Sequence, residues 1–254
     1  MAGREALPLA GPVRTVAVLT AKYLADVAKS PAMLMSMLLP LVMMVGLHAI
    51  LGGQVELPEQ EQLFTANIAA YAVLFECVMA TSMVILYAMA EEREKHLLRT
   101  LLLADVDLGR MVVARGIAAL AGIAVADVLC FAVFGAPAHL MAPLLLVGIV
   151  GSLPLVLLSL ALGLFARTQM SVMVLDSPLV VAAILPMVFS YDEALMQVTP
   201  FLPTGGLYDL TMRLWNGSSL LTPEALLSAG MLLAWTAAMA VVLIAALRKA
   251  PQEA

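Results

Sequence analysis

The stretch EEREKHLLRTLLLADVDLGRMVVARG, Glu91 to Gly116, is a charged island between apolar runs that are too long for a soluble core. Between Ile68 and Ala90 the one acidic residue is Glu76; then Glu91, Glu92, Arg93, Glu94 and Lys95 arrive together, with Arg99, Arg110 and Arg115 behind them. So many charges cannot sit in hydrocarbon, which offers polar groups no water. The island therefore lies at a membrane edge. Within it Leu97, Leu98, Leu101 and Leu102 recur at helical spacing on one side, while Glu92, Lys95 and Arg99 fall on the other. The spacing predicts a short amphipathic helix and leaves open whether it simply lies flat on the bilayer surface.

Composition points the same way. The chain is 63% hydrophobic and 12% charged, with a mean hydropathy of +1.02, far from the roughly 45–50% apolar usage of soluble domains. Its formal charge of -5 hides a sidedness that matters more. Arg4, Arg14, Lys22, Lys29, Arg93, Lys95, Arg99, Arg110, Arg115, Arg167, Arg248 and Lys249 fall on one side of the crossings derived below, and only Arg213 falls on the other. The positive-inside rule puts the twelve in the cytoplasm. The opposite side carries Glu56, Glu59, Glu61, Asp192, Glu193, Asp209 and Glu224, and nowhere is there a basic patch for nucleic acid. Cys77 and Cys130 both lie in apolar runs, where thiols act as small hydrophobes, so no disulfide is expected. No apolar stretch near the start ends in a small-residue cleavage site, so no cleaved signal peptide is expected either.

Working outward, the chain reads as one membrane domain, 1–254. Residues 1–30 are a cytoplasmic N-terminus holding an interfacial helix, 13 to 29, with Arg14, Lys22, Asp26 and Lys29 along one face. Six crossings follow, at 32–51, 66–90, 111–134, 143–165, 170–190 and 224–247. Each is close to the ~20 residues that span a ~30 Å hydrocarbon core. The coupling loop is 91–110, and 191–223 is an external segment whose short helices dip into the outer interface, where Trp and Tyr settle. Ala114, Ala118, Gly122 and Ala126 make a small-residue ridge for close helix packing, within this subunit or against another. Pro178 and Pro186 are expected to kink the fifth crossing. Both termini come out cytoplasmic, which makes the fold class all-α integral membrane.

The chemistry-bearing residues exclude more than they assign. The four lysines, at 22, 29, 95 and 249, lack the glycine-rich context of a phosphate-binding loop. His48, His96 and His139 lie apart with no metal-ligand spacing, and no nucleophile elbow is present. Three carboxylates fall inside crossings: Glu76, Asp127 and Asp176. A charge at the bilayer centre costs on the order of 2.5–3.5 kcal/mol on the mildest scales, so each needs a partner, water or a proton. Glu76 and Asp127 either line a hydrated path or are neutral packing groups; Asp176, with Pro178 just after it, suits a cap or hinge.

The island resembles the cytoplasmic loop between the second and third membrane helices of type-2 ABC exporter permeases. In that family an E-x-E segment leads into a T-L-x-x-L-L coupling helix. Glu92, Glu94, Leu98, Leu101 and Leu102 carry the likeness, Arg115-Gly116 stands where the family tends to show a basic residue, and Leu97 departs from the family's Thr. The order of crossings extends the resemblance over nearly all 254 residues. It implies a permease subunit in the cytoplasmic membrane, paired with a second permease subunit, embedded in lipid and resting on a cytoplasmic ABC ATPase. ATP and Mg would belong to that ATPase, and no cofactor to this chain. Glu91, Glu92, Glu94, Lys95, Leu97, Leu98, Arg99, Leu101 and Leu102 would form the ATPase contact, and Glu76, Asp127, Asp176 and Pro178 the translocation path. Few aromatics in most crossings and 18 methionines favour a hydrophobic or amphipathic cargo, whether drug, lipid or peptide. The alternatives are a proton-coupled secondary transporter using Glu76 or Asp127, and a non-transporting assembly or immunity protein.

Overall fold

The computed structural model describes residues 11–54, 57–95, 107–166 and 168–250, and among these the regular structure is helical, with no strand. Helix α1, Pro12–Lys29, buries Leu19 and Tyr23 against Met111, Ala114 and Ala118. Ser30 both ends α1 and starts α2, Pro31–Leu51. Its backbone N–H donates to the Asp26 and Val27 carbonyls, and its hydroxyl accepts from the Met33 amide at 3.4 Å. Pro31 follows at the first helical position, where a missing N–H costs nothing. One residue thus breaks the chain sharply between two helices.

After a 3₁₀ turn at Gly52–Gln54, a continuous helical rod runs from α3, Pro58–Ala80, through a π-helix, Thr81–Tyr87, into α4, Ala88–Glu94. The rod begins about two turns before the crossing expected at 66, because Pro58 can occupy the first turn as well as Pro31 does. Much of the acidic loop expected up to Thr65 is therefore helix. The rod is also the centre of the bundle: 83% of its most apolar stretch is buried, against 17% for the last span.

Next come α5, Leu108–Val133, capped by the Asp107 carboxylate on the Arg110 amide, and α6, Ala138–Gly163. Gly135, at φ 74, supplies the left-handed turn that ends α5. Thr168 and Ser171 cap α7, Gln169–Phe189, reciprocally, and the helix continues through Pro178 and Pro186. A short α8, Glu193–Met196, and a 3₁₀ turn, Thr199–Phe201, lead to α9, Gly205–Trp215. Thr222 caps the last helix, α10, Pro223–Lys249, as its Thr-Pro-Glu signature predicts. Six of these helices are long and apolar enough to cross a membrane: Pro31–Leu51, Gln60–Glu94, Leu108–Val133, Ala138–Gly163, Gln169–Phe189 and Pro223–Lys249.

Two packing details refine the reading of the sequence. The small-residue ridge on α5 is used within the chain: Ala114 and Ala118 sit under α1, and a Cβ on Gly122 would come within 2.8 Å of the Met37 methyl. The segment 191–223 does not only lie at a surface. Helix α9 is buried along most of its length, with Leu207 pressed on Gly151 in the middle of α6 and Trp215 against Phe131 of α5. Thr204 donates to the Ala182 carbonyl of α7, and Tyr208 stacks on Tyr71 while donating to Asn67 at 2.7 Å. Trp215 lies in the segment read as dipping into the outer interface, and its indole packs against the Phe131 ring near the end of α5.

Candidate functional site

Two groups of ionisable side chains sit on the same antiparallel pair of helices, the 58–94 rod and α5. The first lies where the rod enters the charged island. Glu92 on α4 holds the Arg115 guanidinium of α5 at 2.7 Å, with side chains 14% and 5% exposed. Arg115 also donates to the Val84 carbonyl at 3.0 Å, inside the π-helix, and lies 4.1 Å over the Tyr23 ring of α1. A cation this deeply buried needs its hydrogen bonds and its counterion together, and it has both, with a π face besides. Lys22 of α1 adds looser contacts, 3.6 Å to Glu92 and 3.6 Å to Asp26. The Tyr23 phenol is pushed above its ordinary range, first by burial and then by the negative Glu92, against the opposing pull of Arg115. Tyr23 therefore serves Arg115 as a neutral aromatic face.

The same rod end is tied on its other side to the turn before α7. The Glu94 carboxylate accepts the Gln169 amide at 3.0 Å, at the N-terminus of α7, where a negative charge also suits the helix dipole. Tyr87 donates to the Gln169 side chain at 2.9 Å, and Arg93 to the Ala166 carbonyl at 3.4 Å. Lys95 and Glu91 pair at 2.5 Å in solvent. A cavity of about 270 Å³ opens between α1, α2 and the rod; Lys22, Asp26 and Lys95 are among its charged walls, and Met33, Val84 and Ala88 among its apolar ones.

The second group lies deeper. Glu76 on α3 and Asp127 on α5 are 1% and 0% exposed, and none of their four carboxyl oxygens has a hydrogen-bond partner. Asp127 is packed so closely on Gly148 of α6 that a Cβ there would collide with its carboxyl group. Asp176, by contrast, accepts a hydrogen bond from Ser82 in the π-helix, and so links the rod to α7 two residues before Pro178.

The sequence-derived site residues therefore fall into three sets. Glu92 and Glu94 meet partners inside the chain, Glu92 at Arg115 of α5 and Glu94 at the Gln169 amide of α7. Glu76 and Asp127 stand within electrostatic reach of each other; Asp176 is bonded to Ser82 instead. Leu97, Leu98, Arg99, Leu101 and Leu102 lie outside the described residues, as does the amphipathic helix they were read to form. Tyr23 escaped the sequence reading altogether. Its signal was indirect: an arginine seven residues inside an apolar helix demands partners, and the aromatic face of α1 was one on offer. Among the described residues no group of His, Cys, Asp or Glu is arranged to hold a metal ion.

Six apolar spans, one of them the polar-stitched central rod, define a multi-pass membrane protein. Residues 53–248 match the family model described as ABC-2 family transporter protein, and the chain belongs to that family. It is the membrane subunit of an ABC transporter. The match begins just after α2, so α1 and α2 stand before the matched range. No curated protein matches the chain significantly.

Proposed function

We propose that the chain is the permease of an ABC exporter, driven by a separate cytoplasmic ATPase and moving a hydrophobic or amphipathic molecule such as a drug, lipid or peptide. The observation that carries this reading is the junction at the rod's end. Glu92 and Arg115 bind the rod to α5 and α1, and Glu94 binds it to α7, so a push delivered to residues 91–102 reaches four helices at once. The ATPase surface in this reading is the segment from Glu91 through Lys95 to the leucines and Arg99 beyond. Its apolar side chains fill a groove and its charges set register, as anchors and rim do at other interfaces. Basic residues collect at this end, which puts it and both termini in the cytoplasm and lays α1 along the inner leaflet of the cytoplasmic membrane. A second permease subunit completes the transporter. The cavity between α1, α2 and the rod, with charged and apolar walls, suits an amphipathic cargo arriving from that leaflet.

Copurification of an ABC ATPase with the tagged chain, and cargo-stimulated ATP hydrolysis by the reconstituted complex, test the proposal. Hydrolysis that ignores the permease would overturn it, and so would flux driven by the chain alone.

A further inference from the structure

The Glu76–Asp127 pair has no place in a mechanism that runs from the cytoplasmic junction outward. Both carboxyl groups are wholly enclosed, and neither has a cation or a hydrogen-bond donor. Glu76 and Asp127 stand within electrostatic reach of each other. The other titratable groups nearby are thiols: Cys77, next to Glu76, and Cys130, one turn from Asp127, which donates to the Ala69 carbonyl at 3.8 Å. Of the remaining elements around the rod, α6 offers the bare face of Gly148, and the Asp176 carboxylate of α7 is engaged by Ser82. In α9, Asp209 is engaged by Arg213 and Ser228, and Tyr208 by Asn67; in α2, His48 is held at Thr65. Among the described residues no counter-charge is paired with either carboxyl group. Two ionised carboxylates enclosed within reach of each other would repel, with no neighbouring side chain of opposite charge to compensate.

We propose that Glu76 and Asp127 form a proton-binding centre, both carboxyl groups holding their protons in the packed state seen here and releasing one when the seam between α3, α5 and α6 opens to water. The proton passes to a water molecule, leaving one carboxylate that hydration can support. The placement couples this centre to the junction below. Asp127 lies 12 residues along α5 from Arg115, and Glu76 lies 16 residues along the rod from Glu92, so the two pairs are rungs of one antiparallel ladder, about 18 Å apart along α5 at 1.5 Å per residue. Any sliding of the rod against α5 disturbs both. Closing the seam takes up a proton and opening it gives one back, which adds a pH dependence to a cycle otherwise powered by nucleotide.

The test has two arms, and the first needs no ATPase. Infrared spectra of the purified chain in lipid nanodiscs at neutral pH should show a protonated-carboxyl C=O band that loses one component in Glu76→Gln and another in Asp127→Asn, with both variants folded as well as the parent. Absence of that band overturns the proposal, as does collapse of either isosteric variant, which would mean that a charge is needed. In the second arm, cargo-coupled ATP hydrolysis by the reconstituted complex is followed against pH. The parent should turn over faster as pH rises and the E76Q/D127N double variant should lose that slope; the same profile for both would overturn the coupling while leaving the family assignment intact.

Discussion

Arg115 and Glu92 meet at 2.7 Å in a nearly solvent-free pocket, the guanidinium spread over Tyr23 and bonded to the Val84 carbonyl. Removing one member of such a pair leaves the other buried without compensation, a loss of about 3–5 kcal/mol. Arg115→Ala and Glu92→Ala should each lower the thermal stability of the detergent-purified protein strongly. Replacing both with Met should cost less than either single change, since neither charge is then stranded. A double-mutant cycle by thermal unfolding checks this, and strictly additive losses would mean that the two side chains do not depend on each other.

Glu94 is the partner of a backbone amide at the start of α7, so its loss should be felt in coupling more than in folding. Charge-assisted capping contacts at a helix start are worth about 0.3–1 kcal/mol. Glu94→Lys reverses the favourable charge as well as removing the acceptor, and should leave expression and melting temperature nearly unchanged while lowering cargo-stimulated ATPase activity. The ratio of stimulated to basal hydrolysis is the quantity to measure; Glu94→Asp should retain part of it.

Gly151 leaves the space that Leu207 occupies, a Cβ there falling 2.6–3.1 Å from three of its side-chain atoms. Overpacking of this kind typically costs about 1–3 kcal/mol. Gly151→Ala should therefore destabilise the seat of α9, and Leu207→Ala in the same chain should recover part of the loss. Protease sensitivity of the 191–223 segment, compared among the parent, the single variants and the double variant, reports whether α9 has been displaced.

These relationships also mark where a reading of sequence stops. The six spans were legible because hydrocarbon imposes a length and a charge rule on each stretch by itself: Ala32 to Leu51 has no charged side chain, and Arg248-Lys249 closes the last run. Caps were legible for the same local reason, as at Thr222. The Arg115 partner of Glu92 was not legible, because helical spacing gives the relative directions of side chains on one helix and nothing about which neighbour stands beside them. The π-helix at Thr81–Tyr87 has no pattern of its own in the sequence; it goes with Ser82 reaching Asp176 and Val84 receiving Arg115, contacts across 94 and 31 residues. Trp215 shows the same limit, since nothing in its own stretch of sequence names Phe131 of α5 as the ring it packs against.

The orientation of the bundle can be read with thiols, because the native ones are silent: Cys77 and Cys130 are both 0% exposed. A membrane-impermeant maleimide should therefore leave the parent chain unlabelled in intact cells. Lys95→Cys stands at an exposed position next to the basic island, and Ser218→Cys at an exposed position between α9 and α10. Basic side chains are retained on the cytoplasmic face because moving them across the bilayer is costly. Ser218→Cys should thus react in intact cells, and Lys95→Cys only after the membrane is opened. The reverse pattern would place the Glu92–Arg115 junction outside, beyond the reach of any cytoplasmic ATPase. Labelling of both sites in intact cells would mean that residues 95 and 218 lie on the same face, which an odd number of crossings in the order described here does not allow.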